Sequence, residues 1–343
     1  MKKPNPAPSD RRAAICIFVL LVCLAALFLF SFVLGRYDVP VGDVIRILFS
    51  RVFPIDGTWD RSMEIAVLNV RLPRILLACL VGCCLSASGT AYQSVFQNPM
   101  AAPDILGASS GACFGAALAI LTGQPKAGVT AMAFVFSLLT VAAVYLIGTR
   151  TRGNPVVSIL LAGIMVSSLF SAGPSYIKLM ADPSSQLPEI TYWLMGSLSG
   201  AKMSDVSFII IPMLIGLVPL FILRWRINIL TLGEEEASAI GINTGRLRLV
   251  VVLCATVLTA ASVSASGMIG WVGLVIPHLC RRLVGNNCRH LIPASMAAGA
   301  LFLLIVDNIS RNLLAVEIPI GILTAFVGAP FFIYLMTRKE SLI

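Results

Sequence analysis

Long apolar runs alternate with short polar segments along almost the whole chain. The first run, residues 13–34, contains no charged residue and follows a basic N-terminal segment. Because about 20 apolar residues cross a bilayer as a helix, this run predicts a transmembrane helix. It is longer than the apolar core of a signal peptide, and Gly35 and Arg36 stand where a small-residue cleavage site would be needed. We therefore expect the run to be an uncleaved span.

Nine further spans are predicted, so the sequence indicates an all-α polytopic membrane protein with about ten transmembrane helices in one domain, residues 1–343. The predicted spans cover residues 13–34, 64 or 71–93, 105–121, 127–147, 156–177, 206–223, 249–264, 269–279, 291–313 and 318–336. The uncharged stretch 249–279 is too long for one ordinary span and contains Gly267, Gly270 and Gly273. We divide it at these glycines into one span and a shorter one.

Composition supports this class. Hydrophobic residues make up 58% of the chain and charged residues 12%, with a mean hydropathy of +0.93, whereas soluble domains contain about 25% charged residues. The net charge of +9 comes from Lys and Arg that flank the spans. No basic cluster interleaved with aromatic residues is present, so nucleic-acid binding is not predicted.

Basic residues also predict the orientation. Ten spans place both termini on one face, and loops on the cytoplasmic face carry an excess of Lys and Arg. The basic residues that we assign to the inner face are Lys2, Lys3, Arg11, Arg12, Arg150, Arg152, Arg224, Arg226, Arg246, Arg248, Arg281, Arg282, Arg289, Arg338 and Lys339. Both termini are therefore predicted to be cytoplasmic.

Two polar segments are long enough to hold structure outside the membrane. The outer loop, about residues 35–70, contains the amphipathic sequence VGDVIRILFSRVF, which predicts a short surface helix. The inner segment, about residues 224–248, contains LGEEEASAIGINTGRLR. Its three glutamates favour the first turn of a short helix, and Gly241 is a typical stop.

No motif for covalent chemistry is present. The chain lacks GxxxxGK[ST], HExxH, GxSxG and EF-hand patterns, so we predict neither a catalytic residue nor bound ATP. An intramembrane hydrolase built on Ser109, Ser110 and His278 is a third hypothesis, which the sequence disfavours because it places no base beside either serine. Cys280 and Cys288 lack the spacing of a zinc site, so no metal site is predicted.

The centres of the predicted spans lack Asp, Glu, Lys and Arg. Proton-coupled transporters use ionisable residues at that depth. The pattern therefore weighs against a stand-alone secondary transporter, which remains the alternative function. It favours a pathway whose energy comes from a soluble partner.

Four motifs resemble a known family: RLPR at 71–74, QNPMAAPDILGASSGA at 97–112, GLVIPH at 273–278 and EIPIGILTAFVGAPFFIYLM at 317–336. The chain resembles the FecCD/BtuC-like permease subunit of bacterial ATP-binding-cassette (ABC) importers for iron-siderophores, haem or cobalamin. The resemblance implies a type II ABC importer permease fold in the bacterial inner membrane. It also implies a homodimer with the pathway on its two-fold axis, two ATP-binding subunits that hold ATP and Mg, and a periplasmic or lipid-anchored substrate-binding protein. The chain itself would be a transport subunit and not an enzyme.

The same resemblance implies three groups of site residues. Those for docking of the binding protein are Arg71, Arg74 and Arg311. Those for coupling to the ATPase are Leu232, Gly233, Glu234, Glu235, Glu236, Ala237, Ile240 and Gly241. Those for a cytoplasmic gate are Asn98, Met100, Val156 and Val157, although the family's small polar residues are absent at the last two positions.

Each group has a simpler explanation, which is a solvated loop for the coupling residues and a capping turn for the segment that holds Asn98 and Met100. Arginines beside spans often anchor the interface, and Arg311 can pair with Asp307 four residues earlier on a helix. If the docking role is correct, charge reversal at Arg71 and Arg74 should abolish transport and leave membrane insertion intact.

The cargo is not specified by the sequence: an iron-siderophore is the first expectation, then haem, then cobalamin, with molybdate-type oxyanions also open.

Overall fold

A computed structural model of the protein describes residues 10–51, 53, 59–151 and 155–337. These residues form helices and connecting turns, and no strand is present among them. Several residues of the sequence predictions lie outside the described residues, namely Lys2, Lys3, Arg152, Arg338, Lys339 and part of the outer loop at 52 and 54–58.

The helices are α1 (Asp10–Ser31), α2 (Val41–Phe49), α3 (Arg61–Val95), α4 (Ala108–Leu121), α5 (Lys126–Arg150), α6 (Pro155–Met180), α7 (Gln186–Leu194), α8 (Met203–Leu230), α9 (Glu234–Ala239), α10 (Thr244–Ser266), α11 (Val272–Val284), α12 (Cys288–Asn312) and α13 (Ile320–Thr337). Helix α3 contains a π-helical segment, Ile65–Arg71. A 3₁₀ turn, Pro103–Leu106, precedes α4.

Each of the ten predicted spans corresponds to a helix. Seven helices in the described part of the chain, α1, α3, α5, α6, α8, α10 and α12, are long and apolar enough to cross a membrane, and α4 and α13 are shorter apolar helices. Helix α11 has only 13 residues, in agreement with the shorter span predicted there. The surface helix predicted in the outer loop is α2.

Two local features add to the predicted arrangement. The segment between the predicted spans 156–177 and 206–223 contains a helix, α7, which begins after a turn at Asp182. Ser185 Oγ donates to Asp182 Oδ2 (2.6 Å), and this bond together with bonds from Ser184 lowers the pKa of the Asp182 carboxyl. Helix α8 continues to Leu230, so Arg224 and Arg226 are helical and not part of the inner loop.

Contacts between helix ends agree with the predicted directions of α1, α3, α5, α8 and α12. At one end, the predicted outer end, Arg36 Nε donates to Arg311 O (3.2 Å) and Lys126 pairs with Asp205 (2.6 Å). At the other, the predicted inner end, Gln97 Nε2 donates to Leu230 O (2.7 Å). There, His290 also lies 3.1 Å from Asp10, and the Cys288 amide donates to Asn228 (3.0 Å).

Helix α3 is the centre of the bundle and packs against α8, α10, α11 and α12. Small residues allow this close approach, because a Cβ on Gly89 would collide with the Gly273 carbonyl and one on Gly82 with the Gly299 carbonyl. Buried hydroxyls are satisfied across the same interfaces, as in the bond of Ser88 Oγ with Thr259 Oγ1 (2.7 Å). Dense contacts of this kind hold α3 rigidly at the centre of the protein.

The chain between α3 and α4 turns back into the bundle. A Cβ on Gly273 would lie 2.9 Å from Leu85 O and 3.3 Å from Pro103 Cδ. Leu72 lies between Arg71 and Arg74, whose contacts place them at the ends of α1 and α12, so we measure the depth of the bundle from there. Leu85 lies about 20 Å along α3 from Leu72 and about 15 Å from Val95, at 1.5 Å per residue. The 3₁₀ turn that begins at Pro103 is therefore close to the middle of the bundle's depth.

An ionisable residue, Asp104, lies on this re-entrant turn (Pro103–Leu106) at the middle of the bundle, although the centres of the predicted spans contain none. Gly107 has φ +79° and precedes α4. Gly111 and Gly115, within α4, allow close packing on α5, because a Cβ on either would collide with that helix.

Candidate functional site

The three arginines predicted to dock a binding protein lie together at the predicted outer end, where α1, α3 and α12 meet. Their exposed fractions are only 4% for Arg71 and 6% for Arg74 and Arg311. Arg71 donates to the carbonyls of Phe32 and Tyr37 at the end of α1. The structure thus brings the three residues together but buries them.

Acidic partners within the chain surround Arg74 and Arg311. Arg74 Nε lies 2.8 Å from Asp307 Oδ1, and Arg74 Nη1 lies 2.9 Å from Glu317 Oε2. Arg311 Nε lies 3.7 Å from Asp307 Oδ2, and its Nη2 donates to Ser31 O (3.0 Å). The pairing with Asp307 expected from the helical spacing is present, and Asp307 is fully buried.

An exposed arginine that the sequence reasoning missed lies next to this cluster. Arg36 follows α1, and its guanidinium donates to Arg311 O (3.2 Å) and Leu314 O (2.9 Å). It lines a cavity of about 510 Å³ together with Arg71, Arg74 and Glu317. The one signal in the sequence that could have identified Arg36 as a functional residue is its position directly after the first span.

The predicted coupling helix is present as α9, between α8 and α10 at the predicted inner end. Ala237 is fully buried, whereas Leu232 and Ile240 are 63% and 62% exposed. Glu235 and Glu236 are exposed as well. Helix α9 and the residues that flank it therefore present two apolar side chains and acidic groups on the outside of the bundle.

Local backbone chemistry explains why α9 is so short. Gly233 has φ +133° at its start, and Gly241 has φ +83° just after it, in regions that residues with a Cβ rarely adopt. The Asn243 side chain then accepts from the Arg246 amide (2.9 Å) and caps α10. The two glycines thus fix a compact helical turn between two long helices.

The four predicted gate residues lie in two different elements. Asn98 Oδ1 accepts from the Met100 amide (2.9 Å), which is the geometry of a capping turn, and Met100 is exposed. Val156 packs against the core at the start of α6, and Val157 is exposed. The re-entrant turn does pack against α6, since a Cβ on Gly163 would collide with Ile105 O.

A larger cavity, of about 620 Å³, opens beside the re-entrant turn. Its lining is mainly apolar, with Leu194, Met268 and Phe326 among the contributors, and it includes Asp104 and Trp271. Trp271 has φ +70°, an unusual conformation for a bulky residue that is more often found at functional sites. The sequence reasoning singled out neither residue.

The described residues contain no group of three or more His, Cys, Asp or Glu side chains that could hold a metal ion. All nine cysteines are free thiols.

Residues 23–338 match the FecCD transport family. The chain is 39% identical over 316 residues to the molybdate import system permease protein of Haemophilus influenzae, covering 92% of this chain and 93% of that one. It is 41% identical over 280 residues to an iron chelatin transport system permease protein of Helicobacter pylori, covering 82% and 85%. A solved structure described as an inward-facing metal-chelate-type ABC transporter superposes with a TM-score of 0.85 at 37% identity, covering 95% of this chain and 99% of that one.

The helical bundle and these similarities define a multi-pass membrane permease with the type II ABC importer fold. The chain belongs to the FecCD transport family, and the resemblance inferred from its motifs is confirmed.

Proposed function

We propose that the chain is the permease subunit of an ABC importer that moves a metal chelate across the bacterial inner membrane, with both termini in the cytoplasm. In this proposal two copies form the pathway, two separate ATP-binding subunits supply the energy, and a periplasmic or lipid-anchored binding protein delivers the cargo. An iron-siderophore, haem or cobalamin is the proposed cargo. The observation that carries the proposal is the superposition, over 95% of the chain, on a structure described as a metal-chelate-type ABC transporter.

Helix α9 supports the energy-coupling part of the proposal. It is exposed, it packs against α8 and α10, and the exposed Leu232 and Ile240 flank it in sequence. A short helix with an apolar contact surface can fit a groove of a soluble partner. Motion of the partner would pass through α9 into the two long helices that it joins.

The proposal is tested by reconstituting the chain in liposomes with its ATPase and binding protein. We expect ATP-dependent uptake of one of four offered cargoes, a ferric siderophore, haem, cobalamin or molybdate, and stimulation of ATP hydrolysis by that cargo. Uptake of molybdate alone would replace the chelate by an oxyanion. Uptake on an ion gradient without the ATPase would overturn the proposal.

The burial of Arg71, Arg74 and Arg311 changes which residue we propose for the docking contact. Arg71 and Arg74 are buried and bonded within the chain, so charge reversal there is expected to disturb folding and does not report on docking alone. Arg36 is exposed beside them, and its guanidinium, which uses two of its five N–H donors on Arg311 O and Leu314 O, has others that suit a carboxylate. We assign the first contact with an acidic binding protein to Arg36, with the buried arginines contributing positive potential behind it.

Arg36→Glu is therefore expected to weaken binding of the substrate-binding protein by about tenfold, since it places like charges opposite each other. Arg36→Gln should have a smaller effect. Binding is measured with the purified complex in nanodiscs at two salt concentrations, and Arg226→Glu, at the predicted inner end, is the matched control. Equal affinities of the Arg36→Glu and Arg226→Glu variants would remove Arg36 from the docking site.

A stand-alone secondary transporter is the second candidate, and one observation favours it more than the sequence suggested. Asp104 lies at mid-depth, where coupled transporters hold ionisable residues. Its single carboxylate is not paired with a basic residue among the described ion pairs. The uptake experiment without the ATPase separates the two candidates.

A further inference from the structure

Asp104 combines a deep position with access to open space. The re-entrant turn places it at the level of Leu85 and Gly273, about halfway through the bundle. Asp104 is an exposed residue by its whole surface, its bond with Ser109 is partly buried, and it lines the cavity of about 620 Å³. Ser109 Oγ donates to Asp104 Oδ1 and orients the carboxyl group.

The surroundings make this carboxyl group unusual. The other lining residues are mainly apolar, including Met195, Ile322 and Pro330, and Asp104 is the one acidic residue among those that line the cavity. A carboxylate at this depth is costly against lipid, so it faces a bundle interior or a water-filled space. The cavity face of the chain is therefore expected to face water or a second copy.

Trp271 supplies a second group on the same cavity. A Cβ on Gly328 would lie 2.5 Å from Trp271 Cβ and 2.6 Å from its Cγ, so α13 packs directly against the side chain. This contact holds the indole in place in spite of its left-handed backbone conformation. An indole face and a carboxylate both attract cations, and an apolar wall strengthens that attraction.

We propose that Asp104, with Trp271 beside the same cavity, is a charge-selecting site on the transport pathway. The site favours a chelate whose surface is neutral, rich in hydrogen-bond donors or positively charged, and it disfavours oxyanions such as molybdate. This inference rests on the proposed function, because it takes the cavity as part of the pathway.

Fixing the re-entrant turn to the first turn of α4 is the simpler role for Asp104, because the Ser109 hydroxyl donates to its carboxyl group. The amide oxygen of an asparagine can accept the same bond. Asp104→Asn therefore keeps the hydrogen-bonding shape and removes the charge. Ser109→Ala removes the donor to Asp104 and keeps the charge.

The test uses charged thiol reagents and does not depend on the cargo. A single cysteine is introduced as Ala329→Cys, on the cavity wall, in a background where the nine native cysteines are replaced. The reaction rates of a cationic trimethylammonium methanethiosulfonate and an anionic sulfonate methanethiosulfonate of similar size are then compared in the assembled complex. The ratio of the two rates cancels changes in the reactivity of the thiol itself.

We expect the cation-to-anion rate ratio at Ala329→Cys to fall at least about fivefold with Asp104→Asn, as loss of one nearby charge in a partly screened site predicts. Asp104→Glu and Ser109→Ala should keep most of the ratio. The matched control is Ser199→Cys in an exposed outer turn, where Asp104→Asn should change nothing. A ratio that does not respond to Asp104→Asn, or a cavity cysteine that neither reagent reaches, would overturn the inference, while ATP-dependent uptake in the same preparation would still support the proposed function.

Discussion

Asp307→Asn is expected to lower the free energy of unfolding by about 3–5 kcal/mol, the largest effect of any single change that we predict for stability. Asp307 is fully buried between Arg74 (2.8 Å) and Arg311 (3.7 Å). Removing its charge leaves two buried guanidinium groups, of which Arg74 alone keeps a paired carboxylate, that of Glu317. Thermal unfolding of the purified chain in detergent, followed by loss of helical circular dichroism, measures the change.

The matched control for this prediction is Asp43→Asn. Asp43 pairs with Arg46 at 3.7 Å on the surface helix α2, and exposed pairs of this kind contribute about 0–1 kcal/mol. We therefore expect almost no change in its unfolding temperature. Similar losses in both variants would show that the buried cluster does not stabilise the outer end of the bundle.

Leu232→Asp combined with Ile240→Asp is expected to reduce ATPase binding by about 100-fold and to abolish uptake. Both side chains are more than 60% exposed in the isolated chain. If a partner covers them, each contributes about 1.5 kcal/mol or more through burial of apolar area. Co-purification of the ATPase and cargo-stimulated ATP hydrolysis are the measurements.

Membrane insertion and folding of this double variant should be unchanged, because neither residue packs inside the bundle. Ile45→Asp, an exposed isoleucine on α2 at the opposite end, is the matched control and should leave ATPase binding intact. Normal ATPase binding by the double variant would show that α9 is not the coupling helix.

The positions of the spans could be read from the sequence with little error. The uncharged run at 13–34 became α1, and the division of 249–279 at its glycines became α10 and α11. The short helix α9 was also predicted, from glutamates followed by Gly241. These features depend on the hydropathy and backbone preferences of neighbouring residues, so a linear reading is sufficient.

Whether a functional residue is buried, exposed or paired could not be predicted from the sequence in the same way. The spacing of Asp307 and Arg311 indicated a pair, but Arg74 joins them from 233 positions away. Its burial depends on how α3 packs against α12, which no local pattern specifies. Asp104 stood in a polar turn in the sequence, and only the fold of that turn back into the bundle places it at mid-depth.

By itself, the sequence determined that this protein is an all-helical, polytopic permease of the FecCD type. Apolar runs and helix breakers specify the spans through local interactions, and the short motifs resemble those of the family directly. The tertiary structure alone decided which charges are exposed and which are buried. In the folded bundle, Arg71, Arg74 and Arg311 are buried, Arg36 is exposed, and a cavity lies beside Asp104. Exposure and pairing arise from contacts between distant helices, and those contacts exist only once the bundle has packed.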